Sequence, residues 1–221
     1  MGLPAHGNPS RVGAAGGNAL SRAFDVALAT AGLVLGAPLM LAAAIAIRLE
    51  SPGSPIYRQR RVGLHGRPFE LYKLRTMVAG AEYTGAGITV DQGDARITRV
   101  GALLRGTSLD ELPNLVNVVR GELAIVGPRP TIQAQVDQYS EHQRRRLEVR
   151  PGITGWAQVQ GRASLPWHER IELDVWYVDN RSAVLDLRII LRTIRLILRG
   201  EGVYRGDTGG WRPPSEGGTG S

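Results

Sequence analysis

The sequence predicts an α+β fold, mainly helical with small β elements, carried behind an N-terminal membrane-inserted helix. Three observations predict it. Residues 26–47 form an apolar run without a charged side chain, residues 52–77 carry one short hairpin pattern, and helical periodicity dominates from there to residue 199. The 221 residues suffice for one modest core together with a membrane element. No cysteine is present, which excludes disulfides and thiolate metal sites and fits a reducing compartment.

Residues 1–18, rich in Gly, Ala and Pro, read as a disordered tail. The segment 19–50 follows as the membrane element. Its run of 22 apolar residues matches the roughly 20 that a bilayer requires. A buried helix of a soluble core is the alternative, since Ala and Gly make up much of the run. Pro38 removes a backbone hydrogen bond near the middle, so the helix should bend there. Two geometries fit a bent helix: one that spans, and one that returns to the side it entered from. Arg22 precedes the run, and Arg48, Arg58, Arg60 and Arg61 follow it. If basic flanks stay cytoplasmic, both ends belong on one side, which favours the re-entrant geometry.

Residues 51–205 read as a cytoplasmic catalytic domain, and the glycine-rich stretch 206–221 as a flexible C-terminal tail. Pro52, Pro55, Gly63 and Gly66 punctuate the short segments Ile56–Tyr57 and Phe69–Leu74, a hairpin with basic edges. A helical pattern covers 98–120 with a break at Thr107–Ser108. A polar helix is expected over 134–148, and further helices over 165–180 and 184–199. In the last of these, Arg188, Arg192, Arg195 and Arg199 fall within about 40° of one another. Leu187, Ile190, Ile194 and Ile197 lie opposite. That pattern suits either a core-facing helix with a solvated charged stripe or an amphipathic helix in the membrane interface.

The formal charge of +7 comes from 27 basic and 20 acidic residues, with Lys73 the sole lysine. Such a balance points to an anionic partner: phosphates, nucleic acid or acidic lipids. The arginines are not interleaved with aromatics as a base-stacking surface would have them, which argues against nucleic acid.

Thr107-Ser108-Leu109-Asp110-Glu111-Leu112-Pro113 admits two readings. Ser108 and Glu111 could form a capping box. Alternatively, adjacent carboxylates diverging by about 100° on a helix could face a phosphorus atom and a metal ion respectively. An aspartate that attacks phosphorus forms an acyl phosphate and divides a hard displacement into two steps. Phosphoryl transfer also needs cations around the moving group. Lys73 and Arg75, Arg105, and Arg129 between Pro128 and Pro130 are the candidates. Asp174 and Asp186 read as partners of arginines, and His65, His142 and His168 lack ligand spacing.

Five segments taken together resemble the monotopic phosphoglycosyl transferases, also called bacterial sugar transferases. They are Tyr57-Arg58-Gln59-Arg60-Arg61-Val62-Gly63, Lys73-Leu74-Arg75-Thr76-Met77, Ser108 to Pro113, Val126-Gly127-Pro128-Arg129-Pro130, and Arg150-Pro151-Gly152-Ile153-Thr154-Gly155-Trp156-Ala157-Gln158 followed by Gly161-Arg162. The resemblance implies an enzyme on the cytoplasmic face of a bacterial inner membrane, its helix re-entrant. Asp110 would attack the β-phosphorus of a UDP-sugar and expel UMP, and a polyprenyl phosphate would then collect the sugar phosphate. Such a transfer is the first membrane step of exopolysaccharide or other glycoconjugate assembly. Glu111 would associate with Mg²⁺, and Lys73, Arg75, Arg105, Arg129 and Arg162 would bind substrate. The chain departs from the family in having Ser21-Arg22 where Lys-Arg is common, and Ala37-Pro38 where Ser-Pro is common. An aspartyl-phosphate phosphatase, and a membrane-anchored nucleic-acid-binding protein, are the rival readings. The sugar and the oligomeric state are not specified by the sequence.

Overall fold

The computed structural model describes residues 19–83, 93–161 and 165–199. Both predicted tails, Arg162 and residues 84–92 lie outside the described residues.

Helix α1 runs from Ala19 to Glu50 and contains Pro38. Its only buried residues are Ala29, Ala43 and Ile47. Leu20, Phe24, Val34, Leu35, Leu41 and Leu49 are all more than half exposed. This excludes the core helix of a soluble domain, because most of the apolar surface has no protein cover.

The remaining side of α1 is packed from end to end. Helix α2 (Arg99–Thr107), a 3-10 turn (Leu109–Glu111) and helix α3 (Asn114–Arg120) run back along it in the opposite direction. Ala43 and Ile47 pack with Leu104. Gly36 faces Leu112, and Gly32 sits so close that a Cβ there would lie 2.9 Å from Leu115 Cδ1. At the far end, Arg22 donates to the carbonyls of Val118, Val119 and Leu123, satisfying acceptors at the C-terminus of α3. At the near end, the Glu50 carboxylate accepts from the backbone N–H of Arg99 at 2.7 Å and of Val100 at 3.0 Å.

The expected hairpin forms. Strand β1 (Ile56–Val62) pairs antiparallel with β2 (Pro68–Leu74), from Ile56 opposite Leu74 to Val62 opposite Pro68. Asn117, fully buried on α3, fixes the sheet to the helix: its amide donates to Glu70 O and its Oδ1 accepts from Tyr72 N. A second pair was not anticipated. Strands β3 (Ala124–Val126) and β4 (Gly152–Thr154) run parallel, one after α3 and the other much later. A Cβ on Gly152 would lie 2.1 Å from Gly127 N, so the two glycine-bearing motifs pass as bare backbones.

The polar helix expected over 134–148 is instead three short pieces. Helices α4 (Gln133–Val136) and α5 (Glu141–Arg144) precede a 3-10 turn at Arg145–Glu148. Ser140 starts a new helix with a capping box to Gln143, while Val136 and Tyr139 turn into the core. Helices α6 (Trp156–Gln160), α7 (Trp167–Asn180) and α8 (Ala183–Leu198) complete the fold. On α8 the buried core contacts are Leu185 and Ile189, beside the arginine stripe, while of the face opposite it Ile190 packs against the same core. Leu187, Leu191, Ile194 and Ile197 are left about half exposed.

Candidate active site

The site is built where the long helical return breaks. Ser108 ends α2 in the left-handed conformation, at φ 58° and ψ 17°, which is unusual for a residue with a side chain. It makes no side-chain cap, so the capping-box reading does not hold. The break turns Leu109–Glu111 into a tight 3-10 turn, and Pro113 then leads into α3. Asp110, at 6% exposure, is buried by this geometry.

Two cations reach Glu111 from separate elements. On β2 the alternation that turns Phe69 and Leu71 inward also turns Lys73 inward. Its Nζ lies 3.3 Å from Glu111 Oε1. Arg129, in the loop after β3, brings Nη2 to 2.9 Å from the same oxygen. The β-hairpin, the broken helix and the β3 loop therefore converge on one carboxylate beside a second, buried one. The adjoining cavity is lined by Arg61, Glu111, Asn114 and Arg129, with Gly152 and Ile153 from β4.

The other anticipated residues are placed differently. Arg105 donates from Nε to Thr76 Oγ1 at 2.7 Å, near the break but outside that cavity lining. Arg75 is buried and donates to the carbonyls of Ser51 and Pro52, tying down the chain just after α1. The structure does not bring it to the carboxylates. Asp174 is indeed an arginine's partner, 2.6 Å from Arg146 Nη2. Asp186 accepts from the Tyr177 hydroxyl at 2.6 Å instead. His142 pairs with Glu172 at the surface.

Two lining residues were missed. Arg61 is 3% exposed on β1 and lay inside the quoted Tyr57–Gly63 motif, where it looked like one of several edge arginines. Asn114 is 4% exposed at the start of α3, and its Oδ1 accepts no hydrogen bond.

Further electrostatics come from α7. Burial, opposed by the Arg146 charge, pushes Asp174 up to about 6. Arg170 is held below the usual arginine range by burial and then by the charge of Arg129, so α7 brings a second guanidinium into Arg129's surroundings.

No group of three or more His, Cys, Asp or Glu capable of holding a metal occurs among the described residues. Glu111 alone offers at most one protein carboxylate to a metal, so a Mg²⁺ ion there would take most of its coordination from substrate phosphate oxygens and water.

A family model described as bacterial sugar transferase matches residues 17–200. The chain is 45% identical over 187 residues to the uncharacterized sugar transferase EpsL of Bacillus subtilis, covering 84% of this chain and 91% of that one. It is 44% identical over 192 residues to the UDP-glucose:undecaprenyl-phosphate glucose-1-phosphate transferase of Caulobacter vibrioides, covering 83% and 71%. A protein of the same name from Escherichia coli is 42% identical over 183 residues, which cover 79% of this chain and 39% of that longer one.

Proposed function

The chain belongs to the bacterial sugar transferase family and is a phosphoglycosyl transferase, and we propose that it moves a sugar 1-phosphate from a UDP-sugar to undecaprenyl phosphate through an aspartyl intermediate on Asp110. The observation that carries this reading is the convergence of Lys73 and Arg129 on one Glu111 oxygen beside the buried Asp110.

In the first step an Asp110 carboxylate oxygen attacks the β-phosphorus. An oxygen–phosphorus bond forms, and the bond from that phosphorus to the bridging oxygen breaks, so UMP leaves with the electron pair. In the second step a phosphate oxygen of the lipid attacks the same phosphorus and the aspartyl bond breaks, restoring the carboxylate. The product is a polyprenyl diphosphate sugar. Lys73 and Arg129 exchange their contact with Glu111 for contacts to phosphate oxygens and balance the charge that builds there. Arg61 and Asn114 border the same volume and orient the donor. Mg²⁺, held by Glu111, would neutralise diphosphate charge so that one anion can approach another.

The packing of α1 supports a re-entrant helix that keeps the domain on the cytoplasmic face of the inner membrane. A 32-residue helix is about 48 Å long. Yet Arg22 at one end and Glu50 at the other bind the same folded domain. The half-exposed apolar face of α8, bordered by its arginines, is the natural second contact with the bilayer.

Incubation with a panel of UDP-sugars, Mg²⁺ and undecaprenyl phosphate should release UMP. Without lipid, intact mass should show one sugar phosphate added to the protein and none added to Asp110→Asn. Continuous release of free sugar phosphate without lipid would favour a phosphatase instead. For topology, single cysteines at Ala19 and Arg60 should both resist an impermeant maleimide until cells are lysed. Labelling of Ala19→Cys in intact cells would refute the re-entrant reading.

A further inference from the structure

Arg129 stands between two prolines, so its immediate neighbours have no N–H with which to anchor the loop. The loop is held through carbonyls instead. Pro128 O accepts from Gly152 N at 2.9 Å. Arg129 O accepts from Arg146 Nη2, also at 2.9 Å.

Arg146 belongs to the 3-10 turn at Arg145–Glu148, far from the carboxylates in sequence, and its side chain is 7% exposed. The same Nη2 that holds Arg129 O lies 2.6 Å from Asp174 Oδ2 on α7. Its Nη1 donates to the Tyr139 hydroxyl. That hydroxyl lies 3.3 Å from Thr131 Oγ1, and the Thr131 carbonyl accepts from Val62 N at 2.8 Å. Val62 directly follows Arg61. One guanidinium is therefore linked both to the backbone of Arg129 and, through Tyr139 and Thr131, to the strand end that carries Arg61.

A buried ion pair of this kind adds little net stability over well-packed apolar side chains of similar size. What an apolar pair could not supply is a donor aimed at Arg129 O. Resting on the reading of Arg129 as a phosphate contact, we propose that Arg146, oriented by Asp174, is a positioning residue that fixes the Arg129 guanidinium for the transfer step. Asp174 supplies direction: it lies 2.6 Å from Arg146 Nη2, and its carboxylate sets which way the Arg146 fork points.

The test is a double-mutant cycle on the full-length protein in lipid, with UMP release as the assay. Arg146→Lys keeps the charge but replaces a planar fork by a point donor. It should lower kcat by about 10- to 100-fold with KM for the UDP-sugar within about threefold, since displacement by an ångström can cost that much. In an Arg129→Ala background the same change should cost less than about threefold, because its target is gone. Equal losses in both backgrounds would overturn the proposal. If Arg146→Lys does not fold, Tyr139→Phe removes one acceptor gently and should show a smaller kcat loss that likewise vanishes without Arg129. The apolar pair Arg146→Met with Asp174→Leu removes the buried charges and orphans the Arg129 carbonyl, so kcat per folded molecule should fall even where the melting temperature drops; wild-type kcat per folded molecule in that variant would also overturn the idea. Unchanged kcat in Arg129→Ala alone would mean the phosphate-contact reading has failed, a result distinct from an additive cycle.

Discussion

Two buried charge clusters, one around Glu111 and one around Arg146, share the loop of Arg129 and are wired in opposite senses. At Glu111, two cations from different elements meet one carboxylate oxygen at the edge of a cavity. At Arg146, one cation is divided among a carboxylate, a hydroxyl and a backbone carbonyl inside the core. The first arrangement leaves cations that a phosphate can recruit. The second gives both Nη atoms fixed acceptors and leaves little for a ligand to take. Charge in a protein interior is thus not one kind of feature; the direction of sharing separates a group poised to change partners from a group that holds its neighbours still.

The sharpest way to break this contrast is at the nucleophile. Asp110→Asn should fold normally and lose turnover by at least about 1,000-fold, because an amide cannot form the acyl phosphate. Activity within tenfold of wild type would refute the assignment. Arg129→Ala should cost about 2–4 kcal/mol of transition-state stabilisation, about 30- to 1,000-fold in kcat/KM. A shift in melting temperature with kinetics intact would move Arg129 to the structural class. Arg75→Met belongs to that class already. It should lower stability by about 1–3 kcal/mol through two orphaned carbonyls, with kcat per folded molecule unchanged. A selective rise in KM would restore it to the substrate site.

The smallest effect is on pH dependence. Asp174 binds a proton more tightly folded than unfolded, since burial raises it to about 6. Between about pH 4 and 6 the folded protein therefore carries more protons, and this group's contribution makes stability fall as pH rises through that window. Asp174→Asn should flatten that part of the stability curve. An unchanged slope would show that Arg146 keeps the carboxylate ionised throughout.

Much of this was legible from the sequence, and the exceptions have physical causes. A long apolar run and the hairpin punctuation leave strong local signals. Lys73, Glu111 and Arg129, which the structure brings together, stand in motifs that were singled out because they occur in one order. Arg75 shares a motif with Lys73, but β2 ends at Leu74 and its guanidinium turns to the carbonyls of Ser51 and Pro52, a contact no local pattern marks. Strands β3 and β4 are three residues each and pair across a long interval, so no periodicity marks them. Arg146 sits in the run Arg144-Arg145-Arg146, which reads as a solvated face. Its burial is decided by Asp174, a partner on another helix that no local pattern can indicate.

One consequence follows from Leu112 lying against Gly36, almost halfway along α1. The turn that carries Asp110 is tied to a fixed station on the long apolar helix, so with that helix inserted as proposed its depth is set by the fold and not by diffusion of a tethered domain. An acceptor whose tail never leaves the lipid then meets this site by a search in two dimensions. Turnover should follow the mole fraction of acceptor in the sheet, and diluting that sheet with inert lipid should slow the enzyme even while every bulk concentration stays the same.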